Sequence, residues 1–193
     1  MHIPKTAGNS IQSILKEYSE DEIVVSRRRP QDGVERFGLR NAEFGIRKHS
    51  PLVEYRDALG TERFTSLYKF SCVRNPWDRM ISYYFTPGRG VTEWDPKAFE
   101  KLVRDTPSAA EFLRLSKRDA DPFDNVDAVL RFETLSEDFR RLCEKLEIEA
   151  PELPVYNRSK REQYSKYYDA KLRDLVAKKC AIEIERFAYA FEG

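Results

Sequence analysis

Residues 68–78, YKFSCVRNPWD, decide the fold class of this chain. The first six residues, YKFSCV, form a short run with the apolar and aromatic content of a buried strand. The next five turn directly into a helix, because Asn75 is a favourable N-cap, Pro76 fits the first helical position and Asp78 lies in the positively polarised first turn. A strand that leads directly into a capped helix is typical of α/β proteins.

The same alternation of strands and helices recurs along the chain. Residues 126–132, VDAVLRF, predict a second strand, and Thr134 with Glu137 has the T-x-x-E spacing of a capping box for the next helix. Further elements are predicted at residues 9–18 (helix), 22–25 (strand), from Ser50 to Gly60 (helix) and around Leu172, Leu175, Val176 and Ile184 (a last helix). With no repeat and no low-complexity linker, the pattern predicts one α/β domain over residues 1–193, with a mainly parallel central sheet flanked by helices.

The composition excludes several classes of protein. The net charge of +1 gives no general attraction to nucleic acid. No apolar run approaches the roughly 20 residues of a membrane-spanning helix, so no integral membrane segment is expected. The two histidines, His2 and His49, and three widely spaced cysteines cannot supply a multi-histidine or CxxC metal site, so no metal is expected. An odd number of cysteines without an apolar leader predicts a reduced, cytoplasmic protein.

The segment PKTAGNS, residues 4–10, opens the first predicted helix and has the composition of an anion-binding loop. Gly8 allows close approach of a ligand, Lys5 adds a positive charge, and Thr6, Asn9 and Ser10 add hydrogen-bond donors around the helix N-terminus. It is not a Walker A loop, because no glycine in this chain precedes a lysine. The alternative is an ordinary capped helix with a solvated lysine.

A second anion site is predicted around Arg74 and Ser82. Arg74 follows the 68–73 strand, where ligands of α/β sheets collect, and Ser82 shares a helix face with Asn75 and Asp78. A guanidinium and a hydroxyl can together bind a phosphate group. The alternative is that Arg74 pairs with a carboxylate and Ser82 makes only local contacts.

Together these motifs resemble those of the sulfotransferases, and most closely the branch that contains glycan and carbohydrate sulfotransferases. Residues 2–11, HIPKTAGNSI, resemble the loop that binds the 5′-phosphosulfate, and residues 72–82, CVRNPWDRMIS, resemble the 3′-phosphate motif. Further matches to that branch are residues 131–139, 157–159 and 184–189. The resemblance implies a P-loop-NTPase-like three-layer α/β fold and the sulfuryl donor 3′-phosphoadenosine 5′-phosphosulfate (PAPS).

The resemblance also implies roles for individual residues. PAPS would be bound by Lys5, Thr6, Ala7, Gly8, Asn9, Ser10, Arg74 and Ser82, with Lys160 and Arg161 closing over the 3′-phosphate from a late basic loop. An acceptor hydroxyl, expected on a carbohydrate, would attack sulfur while Lys5 stabilises the leaving phosphate oxygen. His49, just before the Ser50 helix start, is the expected base, His2 would orient the loop, and Glu43 is a second candidate base. Alternatively, His49 is a surface residue flanking a helix.

The chain departs from the family at its start, and also at Ala188, where the family usually has glycine. Only Met1, His2 and Ile3 precede the loop that begins at Pro4, where the family has a buried strand. A truncated first strand predicts an open sheet edge, with a weakly held loop at residues 1–9 or self-association through that edge. Two other functions stay open: a nucleotide-dependent phosphotransferase, and a non-catalytic nucleotide-binding paralogue.

Overall fold

The computed structural model describes residues 1–19, 22–25, 37–40, 45–86, 89, 91–154 and 161–192. The helices in these ranges are α1 (Gly8–Leu15), α2 (Leu52–Leu59), α3 (Thr61–Ser66), α4 (Pro76–Tyr84), α5 (Pro96–Asp105), α6 (Ala109–Leu113), α7 (Leu135–Lys145), α8 (Ala170–Lys179) and α9 (Ala181–Phe187). The strands are β1 (Glu22–Val25), β2 (Phe37–Arg40), β3 (Phe70–Val73) and β4 (Ala128–Arg131). None of these helices has the length and apolar character needed to cross a membrane.

The predicted α/β class is confirmed by the parallel pair β3 and β4. Phe70 lies opposite Ala128 and Val73 opposite Arg131, and the connection between the strands runs through α4, α5 and α6. Helices flank this small sheet: α4 follows β3 directly, and Phe139 of α7 is buried with the central residues of both strands. The other described pair, β1 and β2, is antiparallel. The sequence predicted β1 but not β2.

The first three residues lie against β3. The Met1 nitrogen donates to the Phe70 carbonyl oxygen at 2.7 Å, and the Ser71 hydroxyl donates to the Met1 carbonyl oxygen at 3.4 Å. Ile3 is completely buried, and Pro4 and Thr6 are buried as well. The contacts of Met1 with β3 and the burial of Ile3, Pro4 and Thr6 argue against the expected weakly held loop at residues 1–9. Self-association at this edge stays a prediction.

Helix α4 lies at the centre of the larger core and begins as predicted. The Asn75 side-chain oxygen accepts from the backbone nitrogens of Trp77 and Asp78, and Pro76 occupies the first turn. Trp77, Met80, Ile81 and Tyr84 are buried among residues of α5, α6 and α8. The N-cap orients the helix from β3, and burial of these side chains supplies most of its stability.

Two local predictions at the other helices are wrong. The Thr134 hydroxyl does not cap α7 but donates to Asp138 at 2.9 Å, because residues Phe132–Thr134 already form a 3₁₀ turn that enters the helix. The last predicted helix is two helices, α8 and α9, which separate at the buried Cys180.

Within the described part of the chain, two formally charged side chains are buried in the core, Arg79 of α4 and Glu183 of α9. Arg79 is 2% exposed and donates to the carbonyl oxygens of Pro4 and Pro107 at 3.2 and 2.9 Å. The Glu183 carboxylate accepts from the backbone nitrogens of Ala109 and Ala110, at the start of α6. Burial lowers the pKa of Arg79, while the nearby Cys180 and Glu183 oppose that shift. Glu183 thus holds α6 and supplies negative charge near the buried guanidinium.

We expect Glu183→Gln to destabilise the protein by about 2 kcal/mol, because the uncharged amide is a weaker acceptor and leaves Arg79 less compensated. Glu185→Gln is the matched control on the same helix, since Glu185 is exposed. Urea unfolding of the two variants measures the difference. Equal losses in both variants would contradict a special role for Glu183.

Candidate functional site

Three successive carbonyl oxygens of the loop before α1 are held by the protein. The Thr6 hydroxyl donates to the Ile3 oxygen at 2.9 Å, Arg79 Nε to the Pro4 oxygen at 3.2 Å, and Arg74 Nη1 to the Lys5 oxygen at 3.2 Å. In a trans peptide the N–H points opposite to the C=O. The amide groups of Lys5 and Thr6 therefore point away from the side chains that bind these oxygens.

The backbone of this loop is left-handed at Lys5 and Ala7, with φ of 71° and 65°. For residues other than glycine this conformation costs roughly 1–2 kcal/mol each. The Ala7 oxygen accepts from the nitrogens of Ser10 and Ile11, which starts α1. Left-handed residues that alternate with right-handed ones turn successive amides toward one side, and this is the geometry of an anion-binding backbone concavity.

Gly8 is required for a reason that the sequence did not show. A Cβ added at Gly8 would lie 2.0 Å from both Cδ2 and Nε2 of the His2 ring. The sequence interpretation was that glycine admits a ligand, but in the structure the imidazole fills the space that a Cβ at this position would need. His2 therefore packs directly on the first turn of α1, in line with the predicted role of orienting the loop.

The two histidines of the chain form a pair. Their ring centroids are 4.6 Å apart in an edge-to-face arrangement, and His49 Nδ1 lies 2.9 Å from the His2 carbonyl oxygen. A carbonyl only accepts hydrogen bonds, so Nδ1 carries the proton and Nε2 keeps a lone pair in the neutral ring. Desolvation lowers the pKa of His49, the hydrogen bond to His2 opposes this, and the charge of Lys48 adds to the lowering. Desolvation, followed by the charges of His49 and Lys48, also lowers the pKa of His2.

Lys48 is a site residue that the sequence interpretation missed. Its ammonium group donates to the Asn9 side-chain oxygen at 2.5 Å, which brings a second lysine to the loop that contains Lys5. The available signal was its position next to His49. Lys48, His2, Thr6 and Gly8 also line a cleft of about 200 Å³ beside α1.

The predicted partners Arg74 and Ser82 meet in the structure. Arg74 Nη1 donates to the Ser82 hydroxyl at 3.4 Å, and the guanidinium lies over the Phe132 ring at 3.9 Å. Arg74 Nε also donates to Asp78 at 2.8 Å. Arg74 therefore pairs with a carboxylate, as the alternative interpretation held, and also contacts Ser82, while phosphate binding by the two residues stays a prediction. Desolvation lowers the pKa of Arg74, while Asp78 opposes that shift.

Arg161 joins the same cluster through Asp78. Its Nη2 donates to Asp78 Oδ1, the carboxylate oxygen that Arg74 does not use. The structure thus brings Arg161 close to Arg74 through a shared carboxylate, and a contact of Arg161 with a 3′-phosphate stays a prediction. Two other predicted residues, Lys160 and Glu43, lie outside the described residues.

The model of the sulfotransferase family matches residues 1–190 of the chain. No curated protein and no solved structure shows significant similarity to it.

The contact between Gly8 and His2 can be tested by a double-mutant cycle. We expect Gly8→Ala to destabilise the protein by about 1–3 kcal/mol, because the new methyl group overlaps the imidazole. In a His2→Ala background the same change becomes neutral or stabilising, since alanine favours a helix more than glycine does. Denaturant unfolding gives the four free energies. An equal cost in both backgrounds would show that the ring is not the obstacle.

Proposed function

The chain belongs to the sulfotransferase family, whose fold is P-loop-like, and from this premise we propose that it transfers a sulfuryl group from PAPS to a carbohydrate hydroxyl. The observation that carries the proposal is the position of Arg74. Its Nη1 contacts both the Lys5 oxygen of the first anion loop and the Ser82 hydroxyl of the second. Two adjoining anion sites suit a donor that carries a phosphosulfate at one end and a phosphate at the other.

In this proposal the donor is held at both ends by residues already described. The loop containing Lys5, Thr6, Ala7, Gly8, Asn9 and Ser10 binds the 5′-phosphosulfate, through backbone amides and the lysine charge. Arg74, Ser82 and Arg161, with Lys160, bind the 3′-phosphate. The Thr6 hydroxyl donates to Ile3, so Thr6 contributes its backbone nitrogen rather than its hydroxyl proton.

The transfer needs a base and a stabiliser for the leaving group. The acceptor oxygen forms a bond to sulfur while its proton passes to His49 Nε2, and the bond from sulfur to the 5′-phosphate oxygen breaks. Adenosine 3′,5′-bisphosphate leaves with the bonding electrons, and Lys5 neutralises the charge that develops on its phosphate oxygen. Lys48, held on Asn9, adds a second positive charge close to the loop.

A carbohydrate acceptor is proposed from the resemblance of the motifs to the glycan branch. The proposal includes a cytoplasmic location and a single domain over residues 1–193. It is supported by the three cysteines, Cys72, Cys143 and Cys180, which are all buried free thiols, as is typical of a reducing compartment.

Donor binding and turnover test the function in two steps. At 100 times its dissociation constant, adenosine 3′,5′-bisphosphate should stabilise the protein by about 2.7 kcal/mol. Radiolabelled PAPS should then transfer label to at least one member of a carbohydrate panel. Binding without transfer to any acceptor would favour the non-catalytic paralogue. Stabilisation by ATP alone, with transfer of its terminal phosphate, would favour the phosphotransferase.

The role of His49 gives a separate prediction. His49→Gln should lower turnover by about 10²–10⁴-fold, because the amide can still donate to the His2 oxygen but cannot accept a proton from the acceptor. The base works only when neutral, and its pKa is lowered from 6.5. Wild-type activity should therefore fall with decreasing pH only below about 6.5, and the variant should lack this acid limb.

Lys5→Ala serves as the comparison, because it should weaken donor binding as well as turnover. If His49→Gln keeps near-normal turnover, His49 is not the base, and Glu43 or solvent takes that role.

A further inference from the structure

Asp78 occupies the middle of the second anion site. One of its carboxylate oxygens accepts from Nε and Nη2 of Arg74, and the other accepts from Nη2 of Arg161. The side chains are mostly withdrawn from water, with exposures of 11% for Arg74, 19% for Asp78 and 10% for Arg161. Two guanidinium groups that lie this close in a poorly solvated site repel each other unless an anion lies between them. In the structure that anion is Asp78.

The edge of Arg74 that faces Asp78 is its Nε and Nη2 edge. The N–H groups on this edge are parallel and match the paired oxygens of a carboxylate or a phosphate. Only Nη1 is directed to Ser82. Ser82 is one helical turn after Asp78 on α4, so the two side chains lie on the same face. A phosphate bound to Ser82 and Arg74 therefore approaches a carboxylate of like charge.

We propose that Asp78 is a resident counter-ion that takes the place of the donor's 3′-phosphate when the site is empty. When the nucleotide binds, Arg74 and Arg161 exchange hydrogen bonds to Asp78 for hydrogen bonds to the phosphate. When the product leaves, the carboxylate takes them back. Asp78 thereby weakens the binding of adenosine 3′,5′-bisphosphate and favours its release. This inference rests on the proposed function, since it concerns the phosphate of the same donor.

The test compares two nucleotides that differ only in the 3′-phosphate. Calorimetry measures the affinities of adenosine 3′,5′-bisphosphate and adenosine 5′-phosphate for the wild type, Asp78→Asn and Asp57→Asn. Asp57 is a matched control, because it is also paired with an arginine but is 63% exposed and belongs to α2. The preference for the bisphosphate should increase at least tenfold in Asp78→Asn and stay unchanged in Asp57→Asn. An unchanged or smaller preference in Asp78→Asn would overturn the inference.

Loss of the Asp78 carboxylate can also destabilise the fold. The inference predicts that bound bisphosphate restores the lost stability. Without ligand, the melting temperature of Asp78→Asn should be below that of the wild type. Saturating bisphosphate should raise the melting temperature of Asp78→Asn by more than it raises that of the wild type. A variant that does not fold even with the bisphosphate overturns the inference, because the phosphate should replace the missing charge.

The same measurements separate this inference from the proposed function. A wild type that binds both nucleotides equally would contradict the proposed 3′-phosphate site itself. A wild type that prefers the bisphosphate, together with an Asp78→Asn variant of the same preference, would leave the proposed function intact and reject only the role of Asp78.

Discussion

The candidate site depends on the hydrogen bonds that two arginines make to backbone oxygens of one loop. Arg79 binds the Pro4 oxygen from inside the core, and Arg74 binds the Lys5 oxygen from the end of β3. A hydrogen bond from a charged donor is worth roughly 1.5–3 kcal/mol, which is comparable to the cost of the left-handed residues Lys5 and Ala7. Without these donors, the free-energy cost of the left-handed conformation at Lys5 and Ala7 would not be offset, and the loop would not hold the conformation that turns its amides away from the two arginines. The start of α1 follows from the same conformation.

A fully buried arginine that fixes a loop carries a large desolvation penalty, and neighbouring groups in the core offset part of it. Burial lowers the pKa of Arg79, and Glu183 supplies opposing charge while it caps the start of α6. The Arg79 Nη1 atom itself is buried and has no hydrogen-bond partner among the residues that the structure describes. The desolvation cost is justified if the arginine is needed for position rather than for stability, since an apolar side chain of similar size could stabilise the core as well.

The sequence predicted those features that depend on neighbouring residues. Three of these features are local: the Asn75 cap, the strand before it and the spacing of Arg74 and Ser82. All three are observed in the structure. The Thr134 capping box is also local, but it was wrong because the preceding 3₁₀ turn changes the backbone at the cap. Contacts between distant segments could not be predicted in this way. Lys48 meets Asn9 across 39 residues, and Arg161 meets Asp78 across 83.

The link between His49 and the His2 oxygen has a consequence for how the site can diversify. The segment that contains His49, the proposed proton acceptor, is attached to the same backbone that contains Lys5, the residue proposed to stabilise the leaving group. His49 and Lys5 are thus held by connected backbone, and a shift of the loop would move both side chains together. Under the proposed function, changes in the length and sequence of acceptor-binding segments elsewhere in the chain would leave the separation of base and leaving group unaltered. The same arrangement of His49 and Lys5 could then act on different acceptors through changes in the segments that bind them.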